Sequence, residues 1–329
     1  MQPQDIAFDM TELEWASSLV HRVVPPTPQY AWPKLATRTG CEVWVKHENH
    51  TPTGAFKVRG GLTYLDRLRQ RLPDTPGVIS ATRGNHGQSI AFAAARGGVA
   101  ATIYVPRNNS ADQNSAIAGF GARVVEFGKD FDEAKHEASR TAAAAGLHFI
   151  PSFHRDLVIG VATYALELLG AVSGLDAVYV GVGMGSGIAG LITVRDLLGL
   201  KTEIIGVVAA KAPATALSFA AGRAISAPSA QTFADGLATR EPNAEAIATI
   251  CRGASRIVEV SEDAIAEAMG IYFDDTHQIA EGAGAAPLAA LLQERERMAR
   301  KKVAVVLSGG NIERARLLQV LGGVTPSAA

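Results

Sequence analysis

Short aliphatic, β-branched runs alternate with alanine-rich stretches of helical period along almost the whole chain. Cys41 to Lys46, Val78 to Ala81, Ala101 to Val105, Arg123 to Phe127, Ala177 to Val180, Glu203 to Val208 and Val303 to Leu307 read as strands. Between them Gln88 to Gly97, Ser110 to Gly119, Asp130 to Ala145 and Gly187 to Leu198 repeat their apolar positions at helical spacing. Strand, loop and helix in this order predict α/β architecture: two domains, each a twisted, mostly parallel sheet flanked by helices. The three strand–helix units from about 65 to 151 predict a small inserted α/β domain, and 1–64 with 152–329 a discontinuous larger one. The tail 325–329 reads as frayed.

Composition narrows the partners. With 329 residues and 47% hydrophobic content the chain buries a large core. Lys+Arg 31 against Asp+Glu 32 gives a net charge of −1, which offers no pull toward nucleic acid or an anionic membrane. Cys41 and Cys251 lack metal-ligand spacing and suit a reducing compartment. The N-terminal stretch carries Asp5, Asp9, Glu12 and Glu14 where a secretory signal needs a basic and then an apolar run. No apolar stretch approaches the roughly 18 residues of a membrane helix. A cytoplasmic, soluble protein is expected.

Ligands of open α/β sheets sit where strands end and helices begin, and the chemistry-bearing residues cluster there. In Thr53 to Gly61 a lysine, Lys57, directly follows Phe56 among small residues. A lysine amine enclosed by apolar neighbours loses basicity and becomes a usable nucleophile, as a Schiff-base lysine must be. The glycines here would let a flat ligand approach the backbone. After the strand at 177–180, Gly181-Val182-Gly183-Met184-Gly185-Ser186-Gly187 opens a helix and forms a nest of N–H groups suited to a phosphate. The dinucleotide fingerprint is not met, since glycines stand at 183, 185 and 187 rather than 183, 185 and 188. No Gly-Lys-Ser/Thr follows, so it is not a P-loop. After the strand at 78–81, Thr82-Arg83-Gly84-Asn85-His86 again enters a helix and offers donors for a carboxylate or hydroxyl; Asn85 and His86 would equally suit helix capping. Ser308-Gly309-Gly310-Asn311 follows the last strand, where the serine would also cap a helix.

These four segments, in this order, resemble the fold type II pyridoxal-phosphate enzymes (tryptophan synthase β-like), the group of threonine and serine dehydratases, serine racemase and cysteine synthase. The resemblance extends from Thr27-Pro28 to Asn311. It implies pyridoxal 5'-phosphate as cofactor, with Lys57 as the Schiff-base lysine and Phe56 packed beside the ring. It implies Asn85 on the pyridine 3-hydroxyl, Gly183, Met184, Gly185, Ser186 and Gly187 around the phosphate, and Ser308 facing the pyridine nitrogen. Thr82, Arg83, Gly84 and His86 then receive the carboxylate of an amino-acid substrate. Glu281 to Ala286 and Ala234-Asp235-Gly236 are similar to dehydratase segments. Relatives are commonly dimers, so a homodimer is expected.

Within that group, Gly84-Asn85-His86 resembles the dehydratases rather than the sulfhydrylases, which usually carry threonine at the histidine. This implies α,β-elimination of a β-hydroxy-α-amino acid such as threonine or serine, with 3-hydroxyaspartate and 3-phenylserine as alternatives. A β-replacement synthase and a silent cofactor-binding homologue are the rival readings, and a nicotinamide dehydrogenase would leave Lys57 unexplained. Asn311 stands 18 residues from the end of the chain, so no regulatory domain is expected. Arg83 occupies the place of a serine acid of serine racemases, and arginine cannot serve as an acid, which counts against racemisation. Val208 stands where metal-activated relatives carry glutamate, so no divalent-metal site is expected. Arg83 would meet a second carboxylate, stack on an aromatic ring, or turn outward to solvent.

Overall fold

The computed structural model describes residues 6–328; Asp5 of the acidic N-terminal stretch and the last residue of the tail lie outside them. Among the described residues ten strands form two sheets. In chain order they are β1 (Gln29–Ala31), β2 (Glu42–His47), β3 (Val78–Ala81), β4 (Ala101–Val105), β5 (Arg123–Glu126), β6 (His148–Phe149), β7 (Ala177–Gly181), β8 (Glu203–Ala209), β9 (Arg256–Val260) and β10 (Lys302–Leu307). One sheet has the order β1-β2-β10-β7-β8-β9, parallel except for the antiparallel β1–β2 edge. The other is all parallel, β5-β4-β3-β6, and comes from one stretch of chain between β2 and β7.

Both faces of the larger sheet are covered, and the pleat divides them. Val303, Val305 and Leu307 of β10, with Ala177, Tyr179, Ile205 and Val207, enter one apolar cluster. Ala304, Val306, Val178, Val180, Ile204 and Val208 enter the cluster on the opposite face. Burial on both sides explains the unbroken apolar runs of the sequence. The smaller sheet packs Val78, Ile103 and Val105 toward the helix Asn85–Gly97, and Ile79, Ala81 and Tyr104 toward the helix Phe131–Ala145.

Helix crossings here are unusually close. A Cβ on Gly60 would lie 2.7 Å from the Leu157 carbonyl oxygen, and one on Gly61 2.4 Å from Ser89 Oγ. These two glycines therefore serve helix packing, not the approach of a flat ligand. The tail also departs from expectation: Thr325 Oγ1 donates to Asp263 at 2.6 Å and Pro326 is buried.

Candidate active site

Lys57 is the first residue of the helix Lys57–Arg71. Two sets of contacts hold that helix start. The Phe56 amide donates to the Ser308 carbonyl at 3.0 Å, and Ala55 bridges to Gly309, tying the segment to the loop after β10. One turn in, fully buried Arg59 donates to both oxygens of Glu48 (2.7 and 3.0 Å) and of Glu167 (2.6 and 3.0 Å). Lys46 donates to Glu167 at 2.5 Å, so two cations meet two carboxylates beneath the lysine. Buried charges persist only when paired this completely.

Lys57 Nζ projects into a cavity of about 430 Å³ and donates to Ser186 Oγ at 3.0 Å. Phe56 lies beside it, its ring centroid 5.0 Å from Nζ. Enclosure by protein pushes the lysine pKa down to about 8, against an opposing pull from Glu281. Ser186 belongs to the glycine loop and begins the helix Ser186–Leu197. Gly185 precedes it with φ +96, a conformation that favours glycine, and no side chain caps the first turn. The free N–H groups and the helix dipole make this an anion site opening on the same cavity as Gly183, Met184, Gly185, Ser186 and Gly187.

The loop after β3 supplies the facing wall. Thr82 Oγ1 accepts from the amides of Gly84 and Gly87 (2.9 and 3.1 Å), which shapes the entry to the helix Asn85–Gly97. Gly84 stands at its N-cap and offers no side chain of its own; with the Gly87 amide taken by Thr82, the amides of Asn85 and His86 make this a second anion-receptive helix start. His86 is buried against Ser80, with Nε2 to Oγ at 3.1 Å. Ser80 spends its proton on the Ile150 carbonyl, so His86 Nε2 must donate. Burial drives the His86 pKa down to about 3, and the ring is neutral. Arg83 lines the cavity with 22% of its side chain exposed, so it does not turn outward to solvent.

Asn85 Nδ2 donates to Glu281 Oε1 at 2.8 Å, and its Oδ1 accepts from Asn311 Nδ2 at 2.8 Å. One Nδ2 hydrogen remains for a ligand. Ser308, at the end of β10, also lines the cavity. All thirteen residues assigned a site role from the sequence therefore line a single cavity; Thr82 Oγ1 and His86 Nε2 are already engaged by protein.

Three participants had no role assigned from sequence. Glu281 is buried, and burial raises its pKa to about 8 against the pull of its hydrogen bond from Asn85 and of the Lys57 charge. Its signal is an acid inside the apolar run Glu281 to Leu292. Asp235 and Arg316 pair at 3.2 Å on the cavity wall. The resemblance of Ala234-Asp235-Gly236 to a dehydratase segment marks Asp235, whereas nothing in the sequence marks Arg316, which only the fold brings to it.

The pyridoxal-phosphate dependent enzyme model matches residues 20–309. The chain belongs to that family. L-threonine ammonia-lyase of Geobacter sulfurreducens is 36% identical over 85% of this chain and 69% of its own length. L-threo-3-hydroxyaspartate ammonia-lyase of Saccharomyces cerevisiae is 30% identical over 94% of each. The processed form of threonine deaminase isoform 2 from Solanum lycopersicum superimposes with TM-score 0.87 at 29% identity, covering 98% of this chain and 96% of that one. The family's cofactor is pyridoxal phosphate, and the residues present suit it. An amine of lowered basicity stands beside an uncapped helix start able to take a phosphate. Gly183 is in addition too close to the Gly236 carbonyl, 2.2 Å from an added Cβ, to carry a side chain. Among the described residues no group of three or more acidic, His or Cys side chains is placed to hold a metal, and Val208 lies in the apolar core. No helix among them is long and apolar enough to cross a membrane.

Proposed function

We propose that this enzyme is an ammonia-lyase that converts a β-hydroxy-α-amino acid, such as L-threonine or L-serine, to the 2-oxo acid and ammonia by α,β-elimination. The observation that carries the reading is Lys57 Nζ, an amine with a pKa near 8 set in one cavity with two anion-receptive helix starts. The similarity to L-threonine ammonia-lyases supports the same chemistry.

In this reading Lys57 would anchor the cofactor covalently, and the N–H groups of residues 183–187 would hold its phosphate. Asn85 has one hydrogen left that would serve the 3-hydroxyl, and Phe56 and Ser308 would line the ring, Ser308 on the side of the ring nitrogen. The cofactor supplies an electron-withdrawing conjugated system that acidifies the substrate Cα–H bond. The N–H groups at the start of the Asn85 helix receive the α-carboxylate, with Arg83 and Gly84 beside them and Thr82 and His86 fixing the loop. Lys57 Nζ takes the Cα proton; a base with pKa near the working pH combines availability with driving force. Ser308 is an uncharged hydroxyl and holds no positive charge at the ring nitrogen, which favours loss of the β-hydroxyl over transfer of the amino group. We assign residues 65–151 to a small domain inserted in a larger one, and the enzyme to amino-acid catabolism in the cytoplasm as a homodimer.

Purified enzyme should release ammonia and 2-oxo acid from at least one β-hydroxy-α-amino acid. Lys57→Ala should remove both this turnover and the yellow colour of the bound cofactor. Ammonia release from none of serine, threonine, 3-hydroxyaspartate and 3-phenylserine, or cysteine formation that depends on sulfide, refutes the reading.

A further inference from the structure

Arg83 has unmet bonding capacity. Its Nε is buried and has no hydrogen-bond partner. The nearest anion, Asp235 Oδ1, stands at 3.5 Å, and the same carboxylate serves Arg316 at 3.2 Å. The neighbouring cavity arginine, Arg240, by contrast meets Asp132 at 2.7 Å. Arg316 has Glu313 at 3.5 Å in addition, whereas among the described residues Asp235 is the one carboxylate within ion-pair distance of Arg83, which holds its looser end. It stands two residues before Asn85, at the helix start proposed to take the α-carboxylate.

We propose that Arg83 selects a β-hydroxy-α-amino acid bearing a second carboxylate on Cβ, of the 3-hydroxyaspartate type. This rests on the elimination reading above and names its substrate class. A planar carboxylate can accept from Nε and an Nη together, in the fork geometry that satisfies the orphaned N–H. Serine and threonine bring only a hydrogen or a methyl to that point and leave the donor unmet. An aromatic ring, as in 3-phenylserine, would use the face of the guanidinium and also leave Nε–H unmet. A cationic side chain would be repelled. Elimination then yields the 2-oxo dicarboxylic acid and ammonia, in atom balance with the substrate.

The test is kcat/KM of the holoenzyme for 3-hydroxyaspartate stereoisomers, threonine and 3-phenylserine. A charge-assisted pair that competitors cannot form gives a preference on the order of 10²-fold for the dicarboxylate. Arg83→Gln should bring the ratio near unity, mainly through KM. Arg83→Lys should restore part of it. Asp235→Asn, which removes the competing carboxylate, should lower KM for the dicarboxylate. Calorimetric titration of the holoenzyme with succinate and with butyrate gives a readout independent of turnover: succinate should bind, and Arg83→Gln should abolish it. Equal binding of the two acids, equal or better efficiency with threonine or 3-phenylserine, or a ratio unmoved in Arg83→Gln overturns the proposal. Where threonine alone is turned over, the elimination reading stands and the Arg83 assignment falls.

Discussion

Gly183 and Gly187 stand four residues apart in the loop assigned to the cofactor phosphate, and the structure predicts opposite outcomes for alanine at each. A Cβ at Gly183 would lie 2.2 Å from the Gly236 carbonyl oxygen, where real Cβ atoms keep at least 3.0 Å. Both parties are backbone, so the loop or the Gly236 segment must retreat by about 0.8 Å. Overpacking of that kind costs about 1–3 kcal/mol. The displacement also re-aims the N–H groups of the anion site, and a misplacement near 1 Å costs roughly 10²-fold in a positioned interaction. At Gly187 the added Cβ would meet Tyr164 Oη at 3.4 Å, Val180 Cγ2 at 3.6 Å and Phe56 Cζ at 3.7 Å. These are ordinary contacts, directed to the core rather than the cavity. Alanine there adds helix propensity, up to about 1 kcal/mol. Titration of each apoprotein with pyridoxal 5'-phosphate, followed by absorbance and by thermal melting, separates the two. Gly183→Ala should lose about two orders of magnitude in affinity and melt lower, whereas Gly187→Ala should match the parent or melt higher. Parental affinity in Gly183→Ala would show that the loop does not cradle the phosphate.

Arg59→Leu should destabilise by about 3–5 kcal/mol in urea unfolding, because it strands Glu48 in the interior and leaves Glu167 to Lys46 and His21; a loss below about 1 kcal/mol would mean that water reaches Glu48. Glu281→Gln keeps an acceptor for Asn85 but removes the carboxyl that raises Lys57, so the amine should titrate lower still, measured as a downward shift in the pH dependence of cofactor uptake by the apoprotein. Burial holds His86 and His47 at pKa values of about 3 and 4, below the ordinary 6.5. The unfolded chain binds their protons first, so their contribution is complete above pH 6.5 and is lost as pH falls toward 4, by about 1.4 kcal/mol per pH unit for each. Urea midpoints between pH 7.5 and 5 should show that slope, and His86→Gln should reduce it by its own share.

The parts legible in the sequence are those whose physics is local. Strands buried on both faces announce themselves as unbroken apolar runs, so β3, β4 and the core of β10 are visible directly. A glycine-rich loop that opens a helix is likewise a local object. The short edge strands β1 and β6 are not legible, since Gln29–Ala31 and His148–Phe149 draw their pairing from β2 and β3 rather than from any pattern of their own. Gly60 and Gly61 look like accommodation for a ligand because sequence shows small size but not the Leu157 carbonyl or the Ser89 side chain that requires it. The same limit hides the charge network that fixes the lysine. Arg59 lies two residues from Lys57, yet its partners come from beyond β2 and from position 167, and only folding makes the four charges neutral together. It leaves Arg83 undecided as well: the sequence allows it a second carboxylate, an aromatic ring or solvent, and only the fold sets it beside Asp235 on the cavity wall. Side chains whose role depends on residues distant in sequence carry the specificity of this site, whereas the reaction class is carried by residues that neighbour one another. That division explains why elimination can be argued from the chain alone, while the choice of substrate needs the cavity wall.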